Sequence, residues 1–247
     1  MAIWNDPQPT QTGFGASSRM NAGYVDAAAL DTGLRKYMLS IYNYMTSAVL
    51  LSGIVALLFV QSGLAAQVFV TPLRWLVVLA PLGFVFAMSA GMSRMQSSTL
   101  KACFWGFAVA MGLSISSIFL VYTGASIALT FFATAGSFAG LSLVGYTTKK
   151  NLSGMGSFLI MGLFGLIIAS LISMFFHVPG MAFAISVLGV LIFAGLTAYD
   201  TQQLKMSYVQ VAGTPYAERV AIMGALTLYL DFINMFQFLL SFLGDRR

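Results

Sequence analysis

Asp200 and Asp231 are the two residues whose type and placement demand chemistry. Each is a carboxylate inside an apolar stretch, Phe193-Ala-Gly-Leu-Thr-Ala-Tyr-Asp200-Thr-Gln and Leu226-Thr-Leu-Tyr-Leu-Asp231-Phe-Ile-Asn. An acid at the centre of a membrane helix costs about 2.5–3.5 kcal/mol on insertion scales, so such residues mark ion paths, proton relays or gates. The other acids, Asp6, Asp26, Asp31, Glu218 and Asp245, fall in tails or loops. Thr197 and Gln203 share the helical face of Asp200, and Thr227 and Asn234 that of Asp231. Both carboxylates therefore sit on narrow polar stripes, suited to facing each other or water. Arg94, which ends the second apolar segment on the same predicted side as Asp200, is a third candidate, as a counter-ion or as a snorkelling anchor. Two carboxylates held close do not both ionise easily, so they share a proton and titrate as a unit. Raising the pH removes that proton, and repulsion then loosens any contact that plugs a pore. A structural alternative has Asp200 merely capping a helix end near Lys205. Asp231 is harder to dismiss, because it lies about 12 residues, or ~18 Å, from either end of its segment.

The elements that hold these residues follow from composition. Only 8% of the 247 residues are charged, 59% are hydrophobic and the mean hydropathy is +0.88. Soluble domains carry about 25% charged residues, so this is a polytopic membrane protein. Seven apolar segments, Tyr37–Gln61, Arg74–Ser93, Ala102–Tyr122, Ser126–Thr147, Met155–Phe176, Met181–Leu204 and Arg219–Phe242, each reach the ~20 residues a spanning helix needs. None alternates as a lipid-facing strand does. The expected class is all-α, with seven transmembrane helices in one domain over residues 37–247. Residues 1–36, with Pro7, Pro9, Gly13 and Gly15, are expected to form a flexible cytoplasmic tail, in which Asp26 to Lys36 offers a short amphipathic helix. Gly136 and Gly140, Gly162 and Gly165, and Gly189 and Gly195 have spacings that suit close helix packing.

With the N-terminus inside, nine basic residues (Arg19, Arg35, Lys36, Arg94, Lys101, Lys149, Lys150, Lys205, Arg219) fall on the inner side and three (Arg74, Arg246, Arg247) on the outer. The positive-inside rule favours that orientation. A re-entrant seventh segment, or six true spans, would return the last two arginines to the inner side.

Several function classes lose support. The basic residues sit at segment ends without interleaved aromatics, unlike a nucleic-acid-binding surface. Cys103 is the single cysteine; it begins the third span on the inner side, whereas His177 lies between the fifth and sixth on the outer side, so a ~30 Å core separates this pair. An opsin-like pump requires a lysine where the last helix has Asp231. An intramembrane aspartyl protease uses paired carboxylates to activate water, but Tyr229-Leu230 replace the glycine-containing motif expected before its second aspartate. No phosphate-binding loop or carboxylate-rich metal loop occurs in the connections, so no cofactor is expected, and a metal site stays undefined.

The segments Gly195-Leu-Thr-Ala-Tyr-Asp200-Thr-Gln and Gly224-Ala-Leu-Thr-Leu-Tyr-Leu-Asp231-Phe-Ile-Asn234 resemble the bacterial branch of the Bax inhibitor-1 (TMBIM) family. Ser116-Ser-Ile-Phe-Leu-Val-Tyr-Thr-Gly-Ala-Ser126 and Gly145-Tyr-Thr-Thr-Lys-Lys-Asn-Leu-Ser153 are similar to the same branch, and the likeness runs from about Leu34 to the C-terminus. The resemblance implies a seven-helix fold whose last helix is central and surrounded by the other six. It implies a pH-sensitive calcium leak of the bacterial inner membrane, gated by a hydrogen-bonded aspartate pair at Asp200 and Asp231. The family's second-helix arginine falls on Arg94 by its spacing back from Gly112. The expected partners are the lipid bilayer and a permeant cation, calcium by the resemblance, with no enzymatic activity. The alternative function it implies is regulation of membrane proteases or stress responses through protein contacts.

Overall fold

The computed structural model describes residues 14–176 and 180–247, with side chains from Leu30 onward; His177 lies outside the described residues. Seven helices are long and apolar enough to cross a membrane. They are α1 (Phe14–Gln61), α3 (Leu73–Gly91), α4 (Ser97–Ile115) continued by the short α5 (Ser117–Val121), α6 (Gly124–Thr147), α7 (Ser153–Phe175), α8 (Met181–Val211) and α9 (Ala217–Leu243); α2 (Leu64–Phe69) is a single surface turn and a half after α1. No strand occurs among the described residues, only an isolated bridge between Tyr122 and Arg246. In hydrocarbon every backbone polar group must be satisfied within its own segment, which is why these apolar runs fold as helices.

α9 lies deepest. It packs principally against α8, α1, α6 and α4, whereas α3 leans on α4 and α7 on α8. Four of the other six spans thus supply its main walls, and two stand outside them. Tyr229, Leu228, Ile222 and Met235 on α9 are completely buried among Ile41, Phe104 and Phe107. Phe232 meets Phe131 and Phe138 of α6 edge-on, with ring centroids 5.7 and 5.6 Å apart.

Two elements run further than the hydropathy pattern. α1 reaches back to Phe14 without a break at residue 36, through a segment read from the sequence as tail; Ala27, Ala28 and Ala29 are the strongest helix formers there. α8 continues past Leu204 to Val211. The ammonium of Lys205, read as a segment end, instead donates 2.7 Å to the Tyr146 carbonyl oxygen and lies over that ring, while Tyr208 stacks obliquely on Tyr37.

α9 crosses completely. Its C-terminal tail is pinned at the α5–α6 junction, where Thr123 N–H donates to the Asp245 carbonyl at 3.1 Å and Arg247 N–H to that of Val121 at 2.9 Å. Asp245 N–H also donates to Ser126 Oγ, and the Arg246 guanidinium covers the Tyr122 ring. The C-terminus therefore lies on the membrane face opposite the start of the first span, which removes the re-entrant and six-span alternatives.

The glycine spacings divide. At Gly189 and Gly195 a Cβ would meet Phe238 and Leu159 at 2.5 and 2.8 Å, and at Gly162 it would meet Ile192 at 3.3 Å. Gly136, Gly140 and Gly165 face open space. The close approaches to another helix's backbone occur elsewhere, at Gly145 against the Ala198 carbonyl and at Gly112 against the Ser52 carbonyl.

Candidate functional site

The two acids come together across the α8–α9 seam, the most extensive helix contact in the molecule. Their carboxyl groups are within hydrogen-bonding range of each other. Asp231 is only 4% exposed, and its Oδ2 has no hydrogen-bond partner. Because α8 continues to Val211, Asp200 sits about three turns from the helix end. It does not cap that end, and Lys205 is turned away toward Tyr146.

The polar stripes do not solvate the pair. Thr197 Oγ1 donates to Phe193 O at 2.8 Å, Thr227 Oγ1 to Met223 O at 3.2 Å, and Asn234 Nδ2 to Leu230 O at 2.8 Å. Each is spent on its own helix, as hydroxyl and amide side chains in membrane helices commonly are. Gln203 Nε2 donates to the Tyr199 hydroxyl. The carboxyls are thus left to each other.

Arg94 is not part of this arrangement. It lies exposed in the turn between α3 and α4, where its N–H donates to Gly91 O. Among the described residues the one ion pair joins Lys101 to Glu218, so neither Asp200 nor Asp231 has a cationic partner. No cluster of three metal-ligating side chains occurs among the described residues. Arg94→Gln is expected to leave any pH profile of the protein as in wild type, measured in the same assay as the aspartate variants below.

Surroundings differ on the two sides of the pair. Toward the α8 start, a cavity of about 350 Å³ between α7, α8 and α9 is lined by Ser170, Ser173, Ser186, Asn234, Gln237 and Ser241 together with Ala182, Ile185 and Phe238. Asn234 is one helical turn beyond Asp231 on the same face. Toward the α8 end the seam is closed by apolar packing, with Leu204 over Gly224 beside Ile41. Neither Asp200 nor Asp231 lines that cavity, whose nearest polar side chain along α9 is Asn234.

Three further polar ties escaped sequence reasoning. Tyr229 OH lies 2.7 Å from Ser52 Oγ, which in turn is 2.8 Å from both Ala48 O and Ala108 O and donates to one at a time. This joins α9, α1 and α4 in a fully buried knot. Ser142 and Thr201 hydroxyls meet at 3.2 Å between α6 and α8. Gln202 accepts from Leu152 N–H and donates to Lys150 O, both at 2.8 Å, fastening the α6–α7 connection to α8. An amide in a span was the visible signal for the last. Tyr229→Phe removes one neutral hydrogen bond and leaves Ser52 bonded to a carbonyl, so a loss of ~1 kcal/mol in stability is expected, read by thermal unfolding in detergent.

The family profile described as inhibitor of apoptosis-promoting Bax1 matches residues 34–247. The chain belongs to the Bax inhibitor-1 family. Across 89% of its length it is 49% identical to a Caulobacter vibrioides protein, of which it covers 92%. It is 44% identical to a Rickettsia prowazekii protein over 88% of this chain and 92% of that one. The inner membrane protein YbhL of Escherichia coli is 42% identical over 87% of this chain and 94% of its own length. Family membership covers both carboxylate helices and all seven spans.

Proposed function

We propose that the protein is a pH-sensitive cation leak, with calcium the expected ion, in a bacterial inner membrane, and that the Asp200–Asp231 pair is its gate. The observation that carries this reading is the buried pair itself: two carboxyls from different helices, with no cation and no side-chain donor beside them among the described residues. With one shared proton the pair joins α8 to α9. Without it two negative charges face each other in a buried seam, and the helices separate or take up water and cations. A ring or pair of carboxylates favours cations over anions. The hydroxyls and amides of the cavity between α7, α8 and α9 offer oxygen ligands of the kind a hard cation needs.

The charge distribution supports a cytoplasmic N-terminus, and with it the α7–α8–α9 cavity on the outer side and Leu204 on the inner. The family relationship to an Escherichia coli inner membrane protein favours the same membrane. Regulation of membrane proteases through protein contacts is the competing role, and flux decides between them. Purified protein in proteoliposomes loaded with a calcium indicator is expected to leak slowly at acid pH and faster as pH rises. No leak at any pH would end the channel reading.

A further inference from the structure

α1 and α6 both pack on α9 but not closely on one another. Between them runs an open groove of about 650 Å³, walled by Met38 and Val49 of α1 and Ala135 and Ala139 of α6, and floored by Phe232 of α9. We propose that this groove holds one acyl chain of an anionic phospholipid, whose phosphate rests on Arg35.

Shape and charge both point to that occupant. The lining runs along α1 from Arg35 to Leu50, about 22 Å at 1.5 Å per residue. This is a full leaflet of a ~30 Å core and somewhat more, so a chain entering from the headgroup level fits lengthwise. The wall is mostly apolar, its only charged member is Arg35 at one end, and Ser142 and Tyr146 of α6 lie toward that end, with Tyr42 and Thr46 further along α1. Arg35 is exposed and makes no ion pair. The neighbouring positive charges at that membrane face, Lys36, Lys149, Lys150 and Lys205, include one fixed beside the groove, since Lys205 is held on Tyr146. Asp31, one turn before Arg35 on α1, is exposed. A guanidinium at the mouth of an apolar slot matches a phosphodiester above a hydrocarbon chain. A second copy of the protein or a partner helix would need a knob pattern along the slot, and would leave the rim charge without a counter-ion.

The test uses the full chain purified in detergent, incubated with dioleoylphosphatidylglycerol or with dioleoylphosphatidylcholine, and bound lipid counted by native mass spectrometry. Wild type is expected to retain the anionic lipid at about tenfold lower concentration than the zwitterionic one. Arg35→Gln is expected to bring the two lipids level, and Ala139→Phe, which fills the slot, to reduce retention of both. Equal retention by wild type would overturn the proposal, as would an Arg35→Gln protein that keeps the preference or an Ala139→Phe protein that keeps its lipid. Lipid-free wild-type dimers that dissociate in Ala139→Phe would assign the groove to a second copy instead. The wild-type comparison needs no variant to fold.

Discussion

Replacing Asp231 with asparagine is expected to flatten the pH dependence of calcium flux in proteoliposomes. The closed contact of the proposed gate holds one proton more than the open one. Linkage then makes the open-to-closed ratio rise by up to about tenfold per pH unit while that proton is leaving. The sign follows from the proton count: flux is low at acid pH, where the pair is bridged, and climbs as pH rises. Asparagine keeps the shape of the side chain, and its amide donates to the Asp200 carboxylate without needing a shared proton. One charge remains where two had stood, so repulsion never develops. The variant is expected to stay near the acid-side rate of wild type throughout, with less than about twofold change per pH unit. Asp200→Asn is expected to do the same from the other side of the seam. A wild-type pH profile in both variants would remove the pair from the gate while leaving the leak itself standing. The aspartyl protease alternative separates in the same experiment, since either substitution would then abolish cleavage of a substrate and wild-type liposomes would show no flux.

What was legible in the sequence was what local hydropathy and insertion cost decide. Seven runs of apolar residues give seven helices, and two acids with no place in lipid lie against each other. What depends on how each helix is rotated about its axis was not legible. Gly136 and Gly140 have a spacing suited to close packing, yet that stripe of α6 faces outward, while Gly145 on the same helix lies against α8. Thr197, Thr227 and Asn234 share faces with the acids, yet their donors turn back to their own backbone. Lys205 resembled a helix end because a charge in an apolar run ordinarily marks the interface, and its ammonium is satisfied by a carbonyl of a neighbouring helix that no one-dimensional pattern reports. Arg94 was placed by spacing alone, and the turn after α3 carries it away into solvent exposure.

The same distinction between spacing and rotation gives a stability prediction of opposite sign at two glycines of one helix. Adding a single methyl at Gly145 places a Cβ inside the van der Waals envelope of the Ala198 carbonyl, and backbone cannot step aside as a side chain can. α6 and α8 must then part locally, which also stretches the Ser142–Thr201 hydrogen bond one turn away. Overpacking of this kind costs about 2–3 kcal/mol, so Gly145→Ala is expected to lower the unfolding temperature in detergent by roughly 5–10 °C. Because Ala198 precedes Asp200 by two residues on α8, the displacement reaches the gate, and flux at acid pH is expected to rise as the carboxyl contact loosens. At Gly136 nothing lies within 4 Å of the new Cβ; alanine there trades glycine's flexibility for helix propensity, and stability is expected to hold or to rise by up to ~1 kcal/mol. The two variants add the same atom to the same helix. Equal melting temperatures would mean that α6 is rotated differently from the arrangement described here, and that the close contact beside the aspartate pair does not exist.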